Sequence, residues 1–211
     1  MNLTDSGLEL LMISPVIPVV VIDDVEHAIP LANALVAGGI RIIEITLRTP
    51  AGLPAIERVA QSVPEIRVGA GTLTRLDQID AVVDAGAHFV VTPGSPPALI
   101  DAIQERQLPL LAGASTLTEM MSLLDRGHRA LKFFPAEQSG GAAFLEAVGG
   151  PLPAGTFCPT GGISVQNAQD YLALPNVACV GGSWLTPAPL LATGDWAAII
   201  DLARRAAALA R

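Results

Sequence analysis

The chain alternates short apolar runs with segments that have an amphipathic helical pattern, separated by polar or glycine-containing turns. Near-continuous apolar runs of this kind are typical of parallel strands that helices cover on both faces. Eight runs predict strands, at Val16–Ile22, Ile40–Leu47, Arg67–Gly71, Phe89–Thr92, Leu108–Ala112, Ala130–Phe133, Thr156–Pro159 and Val177–Gly181. The repeated unit is therefore one strand followed by one helix.

Capping signals mark where several of the intervening helices begin and end. Capping boxes are predicted for Asp23 with Glu26, Thr74 with Asp77 and Thr116 with Glu119. An N-cap followed by proline in the first helical position is predicted at Ser95-Pro96 and at Thr49-Pro50. Glycine is favoured just past a helix end, and three glycines fall where helices should stop, namely Gly38, Gly86 and Gly127.

Eight strand–helix units predict an α/β protein formed by a closed (βα)₈ barrel, as a single domain over residues 1–211. A doubly wound open sheet is the alternative, but it usually has fewer strands and a dinucleotide-binding fingerprint. The segment Gly69-Ala70-Gly71-Thr72 lacks the third glycine of that fingerprint, so we interpret it as a turn with close backbone approach. Segment Asp5–Met12 is expected to form a short helix that caps the closed end of the barrel.

Composition and charge restrict the class of partner. The chain is 51% hydrophobic and 15% charged, which is typical of a protein with much of its backbone buried. The formal net charge of -8 repels phosphate backbones and argues against nucleic acid as a partner. The apolar run Leu8–Ile22 contains a glutamate and two prolines and has no basic flank, so we expect neither a signal peptide nor a membrane span. Cys158 and Cys179 show no pairing pattern, and we expect reduced thiols in a cytoplasmic protein.

Lys132 is the only lysine of the chain, and it lies in the predicted strand Ala130–Phe133 among bulky apolar neighbours. One interpretation is a lysine at a strand edge with a buried stem and a solvated head group. The other is a buried nucleophile, because apolar surroundings favour the neutral amine, which can attack a carbonyl. Every other cation is arginine, which does not deprotonate, so we favour the nucleophile.

The second predicted strand carries polar residues on one face. Alternation places Glu44, Thr46 and Arg48 on one face of this strand and Ile43, Ile45 and Leu47 on the other. Polar side chains inside a barrel are expected to pair with one another or to take part in chemistry. Glu44 and Arg48 either bridge each other, or Glu44 transfers protons while the planar fork of Arg48 binds a substrate carboxylate.

Two late segments predict an anion site. Thr160-Gly161-Gly162-Ile163-Ser164 follows the seventh predicted strand, and Gly181-Gly182-Ser183 follows the eighth. Either segment alone could be a tight turn. Barrels of this class commonly bind phosphate after strands seven and eight, where backbone N–H groups and a helix N-terminus converge on the anion.

Other residues at strand ends are weaker candidates. Thr72 ends the third strand as either a substrate contact or a helix cap, and Pro93 ends the fourth. Phe134 could line a pocket or belong to the core, and we place Thr160 in the pocket wall. The three histidines form no metal-ligand pattern and are interpreted as structural residues that imply no metal: His27, His88 and His128.

Several motifs, in order along nearly the whole chain, resemble one known family, the 2-keto-3-deoxy-6-phosphogluconate (KDPG) and 4-hydroxy-2-oxoglutarate (KHG) aldolases. The similar segments are Gly39 through Arg48, Gly69-Ala70-Gly71-Thr72, Gly127 through Gly140, Cys158 through Ile163 and Gly182-Ser183-Trp184-Leu185. The resemblance implies a class I aldolase, a homotrimer of (βα)₈ barrels without metal or cofactor, and a place in the Entner–Doudoroff route of sugar-acid catabolism.

The same resemblance implies a role for each candidate residue. Lys132 is implied as the Schiff-base lysine and Glu44 as the acid/base. The binding roles fall to Arg48 and Thr72 for the pyruvate carboxylate, to Gly161, Gly162, Gly182 and Ser183 for the phosphate, and to Pro93 and Phe134 for the pocket wall. Ala114, after the predicted fifth strand, is a departure, since a larger aliphatic residue is expected there.

The implied reaction is the reversible cleavage of the phosphorylated keto acid KDPG to pyruvate and glyceraldehyde 3-phosphate. The same chemistry on KHG or on the galactonate epimer of KDPG is the alternative among enzymes. A non-catalytic barrel that binds a phosphosugar is the alternative outside enzymes, although a sensor has no need of a buried nucleophile.

Overall fold

The structure is a computed structural model that describes residues 3–209, and side chains from residue 7 onward. Its eight strands are β1 Val16–Val20, β2 Ile42–Thr46, β3 Arg67–Gly71, β4 Phe89–Val91, β5 Leu110–Ala114, β6 Ala130–Phe133, β7 Thr156–Pro159 and β8 Val180–Gly182. Consecutive strands pair in parallel, and β1 also pairs with β8. Bridges from Phe157 to Val177 and from Thr160 to Gly181 join β7 to the β8 segment, so the sheet closes and the predicted (βα)₈ barrel is confirmed.

Helices occupy each connection between successive strands. These helices are α2 Ala28–Ala37, α3 Gly52–Ser62, α4 Gln78–Asp84, α5 Pro97–Glu105, α6 Leu117–Asp125, α7 Gly141–Gly149 and α8 Ala168–Leu172. Helix α1, Leu3–Met12, precedes β1, and α9 Ala188–Thr193 and α10 Trp196–Ala207 follow β8. Short 3₁₀ helices lie at Val25–His27 and Glu137–Ser139. Within residues 3–209, no helix has both the length and the apolar character needed to cross a lipid bilayer.

The predicted strand bounds hold best where the apolar run is short. Three strands, β3, β6 and β7, have the predicted bounds, whereas the longer runs that contain β1 and β2 are trimmed at their ends. Strand β5 begins at Leu110 instead of Leu108, after Pro109, which has no N–H to donate to a neighbouring strand. It also ends at Ala114, so this alanine is the buried last residue of β5 and does not follow the strand.

The predicted helix ends are confirmed at several positions. Thr116 and Glu119 form the expected capping box at the start of α6. Gly38 is the C-cap of α2, and Gly86 and Gly127 follow the C-caps of α4 and α6 with φ of 76° and 86°. Positive φ is the backbone conformation that favours glycine just past a helix end.

Other predicted caps are wrong. The side chain of Asp24, rather than Asp23, accepts from an N–H of the first 3₁₀ helix. The side chain of Thr74 caps no helix, because α4 begins only at Gln78, whose amide oxygen accepts from the Thr74 N–H. Ser95 and Thr49 donate their hydroxyls to carbonyls of neighbouring segments, and α5 and α3 begin two and three residues later, at Pro97 and Gly52. Tertiary acceptors compete with local capping for these hydroxyls.

The barrel interior is closed at the N-terminal ends of its strands. Leu10 and Leu11 of α1 pack in a cluster with inward-facing residues of the strands, namely Ile17, Ile42, Phe89, Val91, Leu111, Ala130, Cys158 and Cys179. This confirms the predicted capping helix, and both cysteines are buried. The second cluster packs the outer faces of the strands against the helices. The polar residues inside the barrel therefore lie toward the C-terminal ends of the strands, where barrel enzymes carry their active sites.

Candidate active site

Lys132 lies inside the barrel, on the face of β6 that points away from the helices. Its neighbours Leu131 and Phe133 pack into the outer core, which leaves Lys132 facing inward with only 3% of its surface exposed. The amine nitrogen Nζ lies 3.3 Å from Oε1 of Glu44 and 5.3 Å from the centre of the Phe134 ring. The solvated strand-edge interpretation of Lys132 is therefore wrong.

Glu44 comes from β2 and is also buried, with 2% of its surface exposed. Its carboxylate fits because β3 has no side chain at Gly71, where a Cβ atom would lie 2.1 Å from Oε1 of Glu44. Gly69 leaves space in the same way for the Phe89 ring. The two glycines lie within β3, so the segment is a strand that makes room for inward-facing side chains and not the turn we expected.

The three polar residues predicted on one face of the second strand have different partners and therefore different roles. Thr46 donates its hydroxyl to the carbonyl oxygen of Val20 at 2.9 Å, which satisfies a buried polar group within the barrel wall. Glu44 contacts Lys132, and Arg48 donates Nε–H to the hydroxyl of Thr72 at 3.2 Å. Glu44 and Arg48 therefore have separate partners and do not form the bridge that was the alternative interpretation.

Thr72 has an unusual backbone conformation. Its φ of 60° lies in the left-handed region, which is unfavourable for a β-branched residue. Such strain persists only where the surrounding structure enforces it, and it concentrates at functional sites. Thr72 directly follows β3, and this backbone conformation brings its hydroxyl within reach of Arg48. This favours a site contact for Thr72, and the helix-cap alternative is wrong because α4 begins six residues later.

A cavity of about 340 Å³ opens beside these residues at the C-terminal ends of the strands. It is lined by Val19, Val21, Arg48, Phe134, Thr160, Gly161, Gly162, Ile163, Gly181, Gly182 and Ser183. Arg48, the candidate phosphate residues and the pocket candidates Phe134 and Thr160 thus come together. Thr72, Lys132 and Glu44 do not line this cavity; Thr72 is joined to it through Arg48, and Lys132 lies beside it against the Phe134 ring. Val19 and Val21 were missed by the sequence analysis, which searched for polar residues. Their inward alternation with Ile17 along the first strand was the available signal.

The glycines of this cavity have packing reasons of their own. Gly161 and Gly162 have φ of 101° and 77°. A Cβ atom on Gly181 would lie 2.2 Å from the Thr160 hydroxyl, and one on Gly182 would overlap the Trp184 ring. Tight turns and close contacts therefore explain why glycine is present, and the same lack of side chains exposes the backbone to the cavity.

Backbone donors face this cavity without partners. Across residues 3–209, the N–H groups of Gly162 and Ser183 donate to no protein atom. Peptide N–H groups at a turn before a helix form the usual cradle for an oxyanion. Arg48 is the only cationic side chain among the residues that line the cavity. A second cavity of about 520 Å³ adjoins the first and shares Val19, Val21 and Ser183 with it. Asp23 and Asp24, which follow β1, line this second cavity.

Pro93 is not among the residues that line the 340 Å³ cavity. Its carbonyl group lies against Gly113 of β5, where a Cβ atom would be 2.4 Å from the carbonyl carbon. The predicted pocket role of Pro93 therefore stays a prediction.

The histidines have partners away from the barrel interior. His88 bonds the backbone of Val68, and His128 lies 2.9 Å from the side-chain nitrogen of Gln104. Burial lowers the pKa of both His88 and His128 below its ordinary value, which favours the neutral ring. These contacts agree with structural roles.

Comparison with known proteins identifies relatives over nearly the whole chain. Residues 8–202 match the family model described as KDPG and KHG aldolase. The chain is 50% identical over 207 residues to the 2-dehydro-3-deoxy-phosphogluconate aldolase of Dickeya dadantii, an alignment that covers 98% of this chain and 97% of the relative.

Two solved structures are similar in fold and sequence. The KDPG aldolase of Legionella pneumophila, solved with pyruvate captured as a covalent carbinolamine, superposes with a TM-score of 0.93 at 43% identity, covering 96% of this chain and 98% of the other. The KDPG aldolase of Zymomonas mobilis ZM4, solved with 3-phosphoglycerate, gives a TM-score of 0.93 at 40% identity, covering 99% and 98%. On this evidence the chain belongs to the KDPG and KHG aldolase family.

Proposed function

We propose that this aldolase reversibly cleaves KDPG to pyruvate and glyceraldehyde 3-phosphate through a Schiff base on Lys132. One observation carries the assignment of the residues. The sole lysine of the chain is buried inside the barrel, 3.3 Å from a buried carboxylate. A buried lysine–glutamate pair contributes little to stability compared with well-packed apolar residues, which favours a role in chemistry.

The chemistry begins with the neutral amine of Lys132, which adds to the C2 ketone of the substrate. The resulting carbinolamine loses water and becomes an iminium ion. Glu44 is close enough to Lys132 to exchange protons with it during these steps. The Phe134 ring lies 5.3 Å from the amine and shields this side of it from solvent.

Carbon–carbon cleavage follows from the iminium ion, which accepts electrons. Glu44, through a water molecule, takes the proton of the C4 hydroxyl group as the C3–C4 bond breaks. The bonding electrons move to the iminium carbon–nitrogen system, giving an enamine and releasing glyceraldehyde 3-phosphate. The enamine is then protonated at C3, and hydrolysis of the imine frees pyruvate and restores the amine of Lys132.

Binding groups at the two ends of the cavity orient the substrate. The Arg48 guanidinium and the Thr72 hydroxyl, 3.2 Å apart, bind the carboxylate of the pyruvate half. The free N–H groups of Gly162 and Ser183, with the Ser183 hydroxyl, bind the phosphate, and Gly161 and Gly182 allow its close approach. Phe134 and Thr160 form part of the wall between them. Pro93, which follows β4 and lies outside this lining, keeps its predicted pocket role as a proposal.

The relatives support this assignment from both ends of the substrate. The Legionella enzyme was captured with pyruvate as a covalent carbinolamine, which is the intermediate that an amine nucleophile forms first. The Zymomonas enzyme was solved with 3-phosphoglycerate, a phosphorylated three-carbon acid. No metal or cofactor enters the proposed mechanism. We further propose a cytoplasmic homotrimer, as the family resemblance implies.

A second substrate, KHG, is favoured by one feature of the cavity. Among the described residues that line it, no cationic side chain other than Arg48 is present, and we assign Arg48 to the carboxylate. The phosphate is then bound by uncharged donors alone. Substrates that lack the phosphate are expected to react, with lower kcat/KM.

Borohydride trapping tests the central assignment. Wild-type protein mixed with pyruvate and borohydride should gain one reduced pyruvate adduct, read by intact mass, and peptide mapping should place it on Lys132. Lys132→Arg keeps the charge but cannot form an imine, so both the adduct and KDPG cleavage should be lost. An adduct at another residue, or substantial cleavage by Lys132→Arg, contradicts the mechanism. Wild-type protein that binds phosphosugars but forms no adduct would identify a non-catalytic barrel.

A further inference from the structure

The loop after β6 lies directly on the turn that we assign to the phosphate. The Ala136 N–H donates to the Thr160 carbonyl at 2.8 Å, and the Glu137 N–H donates to the Gly161 carbonyl at 3.1 Å. This loop begins immediately after the strand that carries Lys132. Two backbone hydrogen bonds therefore connect the strand of the reactive lysine to the Gly161–Gly162 turn.

The side chain of Glu137 is inserted between two glycines. A Cβ atom on Gly162 would lie 2.5 Å from Cγ and 2.7 Å from Cβ of Glu137, so the aliphatic stem of Glu137 occupies the space that a side chain on Gly162 would take. On its other side, a Cβ atom on Gly141 would lie 3.7 Å from Oε1 of Glu137. The stem of Glu137 thus packs directly against Gly162, and its carboxylate lies near Gly141.

Tyr171 holds the far end of this side chain. The tyrosine lies in α8, the helix that follows the turn, and 1% of its surface is exposed. Its hydroxyl donates to Oε1 of Glu137. Burial, and then the Glu137 carboxylate, raise the pKa of the Tyr171 hydroxyl, which favours the protonated donor form.

We propose that Glu137 and Tyr171 are positioning residues that set the Gly161–Gly162 turn for the substrate phosphate, at a defined distance from Lys132. The proposal rests on the function proposed above. Neither residue touches the substrate. The hydrogen bond fixes the carboxylate, the carboxylate fixes the stem, and the stem limits where Gly162 can lie. Nothing in the chemistry of the imine requires this pair.

The consequence is a selective defect when the pair is broken. Loosening the turn should raise KM and lower kcat/KM for KDPG, because the phosphate anchors the end of the substrate distant from the reacting carbons. KHG has no phosphate and should be nearly unaffected, as should imine formation with pyruvate.

The test compares four variants with wild type on both substrates. Tyr171→Phe removes only the donor, and Glu137→Ala removes both the acceptor and the stem. Glu137→Gln keeps the stem and has an amide oxygen that can accept from the tyrosine. It should therefore keep most of the preference for KDPG over KHG that Glu137→Ala loses. Leu172→Val is the matched control, because it loosens the same helix at a residue with 2% exposure without touching Glu137.

Tyr171→Phe and Glu137→Ala should lower kcat/KM for KDPG by about tenfold while changing kcat/KM for KHG less than about twofold. Glu137→Gln and Leu172→Val should keep the wild-type ratio of the two substrates. Equal losses on both substrates, or no loss in Tyr171→Phe, would overturn the proposal. Failure of the proposed function is seen separately, in wild-type protein that forms no pyruvate adduct.

Discussion

Replacement of Gly71 with alanine tests whether the position of the Glu44 carboxylate controls turnover. The added Cβ atom would lie 2.1 Å from Oε1, 2.5 Å from Cγ and 2.6 Å from Cδ of Glu44. Gly71 is not among the glycines with positive φ, so its backbone accepts alanine without strain. The substitution therefore acts through the collision alone, and the side chain that must move is Glu44.

The size of the displacement follows from these distances. Oε1 must move from 2.1 Å to at least the ordinary van der Waals distance of about 3.4 Å, a shift of about 1.3 Å. Misplacement of a reacting group by about 1 Å can cost roughly a hundredfold in rate, so kcat for KDPG should fall by about two decades. Overpacking should also lower the free energy of unfolding by about 1–3 kcal/mol.

Gly69→Ala is a matched control on the same strand. The three atoms nearest to its Cβ would all belong to the Phe89 ring, the first 2.4 Å away, so it overpacks the interior against this ring and not primarily against Glu44. The assay couples pyruvate release to lactate dehydrogenase, with urea unfolding and borohydride trapping measured in parallel. Gly71→Ala should lose turnover but still trap pyruvate, whereas Gly69→Ala should lose stability with kcat nearly unchanged. If both variants lose kcat equally, the collision with Glu44 is not the cause and the argument fails.

Three further outcomes follow from the structure. Glu44→Gln should slow KDPG cleavage by roughly two to four decades yet still form the pyruvate imine, and loss of folding instead would make the residue structural. Ser183→Ala and Gly162→Val should lower kcat/KM for KDPG far more than for KHG, with about ten- to a hundredfold expected for Ser183→Ala; equal losses would place the phosphate elsewhere. The N–H of Ser115, with further bonds from the α6 cap, lowers the pKa of Glu119. The contribution of ionised Glu119 to the free energy of unfolding is fully present above the pKa that Glu119 has in the unfolded chain. It is lost as pH falls through the lower pKa that Glu119 has in the folded protein. Urea unfolding should therefore show wild type losing more stability than Glu119→Gln below about pH 4.5.

The sequence was sufficient to predict the secondary structure and its arrangement. Hydrophobic runs located all eight strands, because a strand buried on both faces must be apolar along its length. Predictions based on a single hydroxyl were less reliable. Thr116 caps α6 as expected, whereas Ser95 donates to the Gly113 carbonyl on a neighbouring strand. A hydroxyl bonds whichever acceptor the fold brings near, and local sequence does not identify that acceptor.

Glycine patterns were informative about position but not about cause. Gly71 was interpreted as part of a turn, yet it lies in β3 because the Glu44 carboxylate occupies its side-chain space. Gly162 was selected as a phosphate residue, and the stem of Glu137 also requires a glycine there. The absence of a side chain is visible in the sequence, but the atom that fills the space comes from a distant segment.

By itself the sequence determined the (βα)₈ architecture, the inward face of β2 and the identity of Lys132 as the only possible amine nucleophile among side chains. These follow from local periodicity and composition, which short-range sterics and burial convert into strands and faces. Only the tertiary structure decided that Lys132 meets Glu44, 88 residues away in the chain, that Thr72 adopts a left-handed backbone beside Arg48, and that Glu137 supports Gly162. Periodicity states which face a residue occupies, whereas the register of the closed sheet determines which residues on different strands lie at the same height.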